Sequence, residues 1–132
     1  MEDPVELLKE LIRINTTNPP GAEAALLDCL ERKLAKAQLP FARQETAPGR
    51  GNLVSRLKAD GEITLPPLVL LSHTDVVAAD PGQWLHPPFE AREDEKGFIY
   101  GRGAVDTKQL TAMELCAYEA LAKTPGRCRD VY

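Results

Sequence analysis

The sequence has 132 residues, with 16 basic and 20 acidic side chains, a formal net charge of −4, 43 % hydrophobic and 27 % charged residues. This is an ordinary soluble globular profile, and the length suits one domain that buries roughly two-thirds of its unfolded surface. Neither half is net positive (9 basic and 10 acidic in 1–66, 7 and 10 in 67–132), which disfavours a nucleic-acid partner, and the longest aliphatic run, Leu68–Leu71, is far short of the roughly 20 residues of a membrane span.

Met1 is followed by Glu2 and Asp3, without a basic start or apolar core, so no leader peptide is expected. The first helix is signalled by Asp3 as cap, Pro4 at the first helical position and Glu6 three residues after the cap. Val5, Leu8, Leu11 and Ile12 form its apolar stripe, widened by Leu7 and Ile14. Asn18-Pro19-Pro20-Gly21 ends it. A second helix is predicted from Ala22 to Gln38, with Leu27, Leu30 and Leu34 inward and Pro40 as its stop. Phe41–Thr46 and Asn52–Lys58 read as a hairpin around Pro48-Gly49-Arg50-Gly51, with Leu53, Ser55 and Leu57 on one side of the second strand and Val54 on the other. After a polar loop, Leu68–Ser72 reads as a strand buried on both faces.

His73–Lys96 is long, irregular and rich in Pro, Asp and aromatics, and such loops are usually functional. Trp84, Pro87, Pro88 and Phe89 form an apolar knot, either a plug that anchors the loop or a wall beside a substrate. His86 reads as a loop residue, and the five charges Arg92–Lys96 as a solvated turn. Gly97–Tyr100 is a brief strand. A third helix is predicted from Asp106 to Lys123, with Leu110, Met113, Ala117 and Leu121 at helical spacing, and Pro125-Gly126 breaks it. Arg129–Tyr132 begins an extended segment. Cys29, Cys116 and Cys128 are odd in number and lack a C-x-x-C pair, which fits a reducing, cytoplasmic setting. Cys29 and Cys116 read as small buried hydrophobes, and a Cys116–Cys128 disulfide stays open.

Chemistry concentrates at two places. His73 and Asp75 directly follow the apolar strand, and a two-residue spacing puts them on one side of an extended backbone. A histidine there can ligate zinc while the carboxylate fixes its orientation, or the pair can simply close a strand end. Asp106 follows Gly101-Arg102-Gly103, whose glycines permit a tight turn or close approach. Its carboxylate can bridge two metal ions, or cap the helix in a box with Gln109.

LIRINTTNPPG, GRGNLVSRL, LVLLSHTDVV, W-x-x-PPF and GFIYGRGAVDTKQLTAM, in that order, resemble the amino-terminal part of the co-catalytic zinc peptidases and amidohydrolases of peptidase family M20. That family includes aminoacylases, acetylornithine deacetylases, succinyl-diaminopimelate desuccinylases and glutamate carboxypeptidases. The resemblance covers Val5 to Tyr132, and many members carry Met where Thr107 stands. It implies an α/β zinc-exopeptidase-like catalytic domain, a mixed sheet with helices packed on it, incomplete at the carboxyl side. It implies that residues 1–132 are the amino-terminal portion of that domain, and the family's lid or dimerisation domain is expected to be absent from them. The resemblance implies His73 as ligand of one metal, Asp106 as bridge between two, and Asp75 as the catalytic-motif aspartate supporting His73, with a cis Asp106–Thr107 peptide. The implied cofactor is two zinc ions, and such ligands also accept cobalt or manganese. The implied activity is hydrolysis of amide bonds in N-acyl amino acids or small peptides. The paired glutamates, a further acidic ligand and a late histidine have no counterpart here, so the chain is expected to be inactive alone. A homodimer is compatible with full-length members and unsupported by this chain. The competing reading is a shortened, non-catalytic binding or regulatory module on the same scaffold.

Overall fold

The structure is a computed structural model and describes residues 3–132. Met1 and Glu2, part of the leader expectation, lie outside the described residues. Helix α1 spans Pro4–Arg13, and the Asp3 carboxylate accepts the Val5 N–H at 2.8 Å. Leu7, Leu11 and Ile12 are buried, whereas Val5 is exposed. Val5 shares the face of Ile12 but sits about 10 Å further up the axis, beyond the core. Helix α2, Ala24–Lys36, buries Leu27, Leu30 and Leu34 as expected, together with Leu26 and Cys29.

Strands β1 (Phe41–Ala47) and β2 (Arg50–Ser55) pair antiparallel, with a register irregularity between Glu45 and Ala47. The turn is only Pro48-Gly49; Arg50 and Gly51 already belong to β2. The expected second strand therefore starts earlier and ends earlier than predicted. Beyond it the chain stays extended, and Leu57 pairs antiparallel with Val131. Val131 also pairs in parallel with Leu68. Mixed strand pairing thus exists, carried by single bridges around Val131 rather than by long strands.

The segment Leu68–Ser72 corrects the expectation of a doubly buried strand. Its amides at Leu68 and Leu70 donate to the carbonyls of Asp130 and Tyr132, both at 2.9 Å. Yet Val69 and Leu71 are 61 % and 82 % exposed, and Leu68 is 38 % exposed. An apolar run is driven inward only where something covers it. Among the described residues, its backbone partners lie on one side alone.

The long loop is pinned rather than loose. A 3₁₀ turn spans Pro81–Gln83, and β3 (Arg92–Glu93) pairs antiparallel with β4 (Ile99–Tyr100). The charge run is thus half strand and half turn, closed by the Asp94 carboxylate, which accepts the amides of Lys96 and Phe98 at 2.9 Å. The apolar knot behaves as an anchor. Pro88 is buried and its carbonyl accepts the Arg102 N–H at 2.7 Å, while the Arg102 guanidinium lies 5.1 Å from the Trp84 ring centre. His86 meets Tyr100 edge-on, with ring centres 5.2 Å apart.

Helix α3 is Lys108–Ala122. It is apolar on two sides, and most of the expected stripe is outer: Leu110 is 41 % and Met113 51 % exposed and Ala117 is exposed too, while Leu121 is half-buried against the core. The buried face is Lys108, Thr111, Ala112, Leu115, Tyr118 and Glu119, and α3 packs against α1. The reason for this choice of face is Lys108. Its side chain is fully buried, and its amine donates to the carbonyls of Leu11 (2.9 Å) and Ile14 (2.7 Å) at the end of α1. Both lie past the regular ladder of α1, where carbonyls lack an i+4 partner; that of Leu11 also accepts the Ile14 N–H at 3.2 Å. Burial lowers the amine's pKa to about 8. No helix among the described residues is long and apolar enough to cross a membrane.

Cys29 is buried as expected, its thiol donating to Glu10 at 3.1 Å, whereas Cys116 is only half-buried. Cys116 and Cys128 are thiols, not a disulfide pair. Burial, aided by Glu10, raises the Cys29 thiol's pKa to about 11. Because the thiolate is the reactive species, alkylation of the native protein followed by peptide mass spectrometry should label Cys128 well before Cys29; equal rates would contradict this packing. Lys108→Met should cost about 1–3 kcal/mol, because it strips a donor from buried carbonyls. Urea unfolding checks that figure, and an unchanged midpoint would show the amine to be dispensable.

Candidate metal-binding site

The site forms where three chain segments meet: the linker after α1, the stretch following Leu68–Ser72, and the loop entering α3. The linker pairs with the second segment as a short parallel bridge, Thr17 to Val76. Asn18 N–H donates to the Val76 carbonyl (2.8 Å), and Val76 N–H to that of Thr16 (3.1 Å). The buried Thr16 hydroxyl donates to the Thr74 carbonyl at 2.6 Å. His73 and Asp75 are therefore carried on a backbone fixed at the Thr74 carbonyl and at Val76.

The third segment reaches in because it contains glycines. Gly103 has φ +85°, and a Cβ there would stand 2.8 Å from Val76 Cγ1 and 3.1 Å from Lys108 Cδ. At Gly101 a Cβ would meet Ile12 Cγ2 at 2.5 Å. The expected role of this turn, close approach, is what the structure shows. The Asp106–Thr107 peptide is cis, as are Asn18–Pro19 and Pro19–Pro20.

His73 Nε2 lies 3.0 Å from Asp106 Oδ1, and His73 Nδ1 lies 3.1 Å from Asp75 Oδ1. The carboxylates thus flank the two ring nitrogens of one imidazole. Asp75 Oδ2 accepts a hydrogen bond from Asn18 Nδ2 at 2.9 Å. Partial burial disfavours the His73 cation, but the bonds to Asp106 and Asp75 outweigh it and raise its pKa. The Asn18 amide, ahead of the positive charge on His73, holds the Asp75 carboxyl below the usual range. Depth grades outward: the side chains of Asp75, His73 and Asp106 are 33 %, 53 % and 88 % exposed.

Asp106 is not the helix cap that its spacing to Gln109 suggested. Thr107 occupies the cap position without a side-chain bond, and Gln109 Nε2 donates instead to the Val105 carbonyl. The carboxylate is turned to His73. Beside the array, Ser72 Oγ donates to Glu114 Oε2 at 2.7 Å and meets Thr111 Oγ1 at 2.9 Å. Ser72, His73, Asp75, Asp106, Thr111 and Glu114, though not Asn18, line an open groove of about 920 Å³, whose apolar part includes Leu27, Leu30, Leu53, Leu70 and Leu115. Asn18 and Glu114 had escaped the sequence reading. Asn18 was read only as part of a helix-ending turn, and Glu114 was not singled out; no local spacing signals either contact.

Among the described residues, no group of three or more His, Cys, Asp or Glu side chains converges as a metal cage. The donor chemistry nevertheless fits a partial metal site. A metal-binding histidine commonly gives its other ring N–H to a carboxylate, and Asp75 Oδ1 lies 3.1 Å from His73 Nδ1 while Asp106 stands at Nε2, where a metal would bind.

Gly103→Ala should be destabilising and should loosen Asp106, since it forces an L-residue into a left-handed backbone and against Val76. A lowered melting temperature together with a broadened or shifted His73 ring resonance in NMR would bear this out; wild-type values for both would contradict it.

Residues 69–131 match the model of Peptidase family M20/M25/M40. Aminoacylase-1 of Sus scrofa is 36 % identical over 118 residues, covering 89 % of this chain and 28 % of that protein, and aminoacylase-1 of Homo sapiens matches to the same extent. The chain thus spans less than a third of the length of the curated relatives it matches. Among solved structures, an M20 family metallo-carboxypeptidase from Sulfolobus solfataricus superposes with a TM-score of 0.79 at 22 % identity, over 99 % of this chain and 30 % of that one. Human carnosine dipeptidase 1 superposes with a TM-score of 0.70 at 22 % identity, over 97 % and 30 %. The chain belongs to peptidase family M20/M25/M40, as an amino-terminal part of its peptidases and amidohydrolases.

Proposed function

We propose that these residues supply one part of the active site of a metal-dependent hydrolase that cleaves amide bonds in N-acyl amino acids or small peptides. The observation that supports it best is the array Asp75–His73–Asp106, joined at 3.1 and 3.0 Å. The names of the relatives, aminoacylase-1 and carnosine dipeptidase 1, give the substrate class. The three thiols suit a reducing cytoplasm.

In this reading Asp75 accepts the proton on His73 Nδ1, which fixes the tautomer and leaves the Nε2 lone pair as a ligand. Asp106 offers carboxylate oxygens at the same point, and with 88 % of its side chain exposed it has room to bridge two ions. Zinc suits a histidine and a carboxylate, as do cobalt and manganese. Bound there, a metal supplies Lewis acidity toward the amide carbonyl and eases ionisation of water. A zinc centre in a hydrolase normally holds three protein ligands, so the others, with the general base, come from outside these 132 residues. The chain alone is then a weak metal binder without turnover.

The test is hydrolysis of an N-acetyl amino acid, with and without a chelator. No turnover is expected from the 132 residues alone. In a longer polypeptide that adds the remaining ligands, turnover should be lost on chelation, and Asp106→Asn or His73→Ala should lower kcat at least about 100-fold. Activity that persists through both substitutions would overturn the assignment.

A further inference from the structure

Asn18 is the polar side chain that reaches the array from the opposite side of the chain's sequence. It stands 57 residues before Asp75, and its Nδ2 donates to Asp75 Oδ2 at 2.9 Å. A carboxylate only accepts, so the amide's orientation is fixed by chemistry. The other carboxylate oxygen of Asp75 lies 3.1 Å from His73 Nδ1, which the Asp75 main-chain carbonyl also meets at 3.0 Å, and His73 Nε2 faces Asp106. Four side chains thus stand in line, and Asn18 alone has no part in the site proposed above.

Two further features argue that this contact is built rather than incidental. The backbone of Asn18 is already fixed by its own bond to the Val76 carbonyl, so the turn does not require the side chain. Thr16, fully buried, ties the same linker to the Thr74 carbonyl, between His73 and Asp75. The linker therefore holds both the main chain and the carboxylate that orients His73.

We infer that Asn18 is a positioning residue of the metal site: by binding Asp75 Oδ2 it holds Asp75 Oδ1 against His73 Nδ1, and so aims His73 Nε2 at the metal. The inference rests on the metal-site reading and deepens it. Outer partners of metal-binding histidines commonly change metal affinity 10- to 100-fold.

The experiment is zinc affinity by competition with a chromophoric chelator, with melting temperature recorded for each variant. Asn18→Ala should weaken zinc 10- to 100-fold with a near-native melting temperature. Asn18→Asp, which keeps the side chain's size but sets a carboxylate against Asp75, should weaken it at least as much. In an Asp75→Asn background, Asn18→Ala should change affinity less than about threefold, because its route of action is gone. A merely structural role would lower the melting temperature and act equally in both backgrounds, which would overturn the inference. His73→Ala separates the two levels. If it abolishes zinc binding while both Asn18 variants bind normally, the positioning role is wrong and the metal site stands. If it leaves zinc binding unchanged, the metal site itself is wrong, and the role of Asn18 falls with it.

Discussion

The buried amine of Lys108 is the contact on which the rest of the arrangement depends. It sits at the first turn of α3 and bonds to the last carbonyls of α1. One end of that junction runs, through Ile14, into the linker that pairs with Val76. The other runs back two residues to Asp106. The same junction therefore sets where both halves of the site begin. A buried cation needs compensating partners, and helix-terminal carbonyls provide them at no cost to the helix ladder. That requirement, more than apolar periodicity, decides which face of α3 turns inward.

Much of this was legible in the residues. The cap and stop of α1, the stop of α2, the hairpin, the extended course of Arg129–Tyr132 and the approach of His73 to Asp75 follow from local rules of spacing and backbone sterics. The orientation of α3 did not follow, because apolar residues lie on two of its sides and periodicity cannot choose between them. Lys108 at a buried position runs against composition, and only the carbonyls of Leu11 and Ile14, far away in sequence, explain it. The capping box at Asp106 failed for a related reason: a local motif lost to a distant partner, His73. Asn18 was hidden in the same way, since its helix-ending neighbours gave it a sufficient local explanation. The doubly buried strand at Leu68–Ser72 was the other miss, because covering an apolar run takes neighbours on both sides.

Functionally, the chain reads as a scaffold that presents an oriented histidine and a carboxylate at the mouth of an apolar groove. The likeness to solved M20 structures is a likeness of fold over less than a third of their length. The chemistry proposed here rests on the His73 array, not on that likeness. Positioning comes from backbone fixed by Thr16, Asn18 and Gly103, and charge from Asp75 and Asp106. Substrate choice depends on groups that the array does not contain.

The most direct measurement is a crystal structure of the protein grown with zinc, with diffraction recorded on both sides of the zinc absorption edge. An anomalous peak within bonding distance of both His73 Nε2 and an Asp106 carboxylate oxygen, with Asp75 still on Nδ1, is the expected result. A peak coordinated by other residues, or an ordered His73 and Asp106 with no peak between them at saturating zinc, would contradict the account.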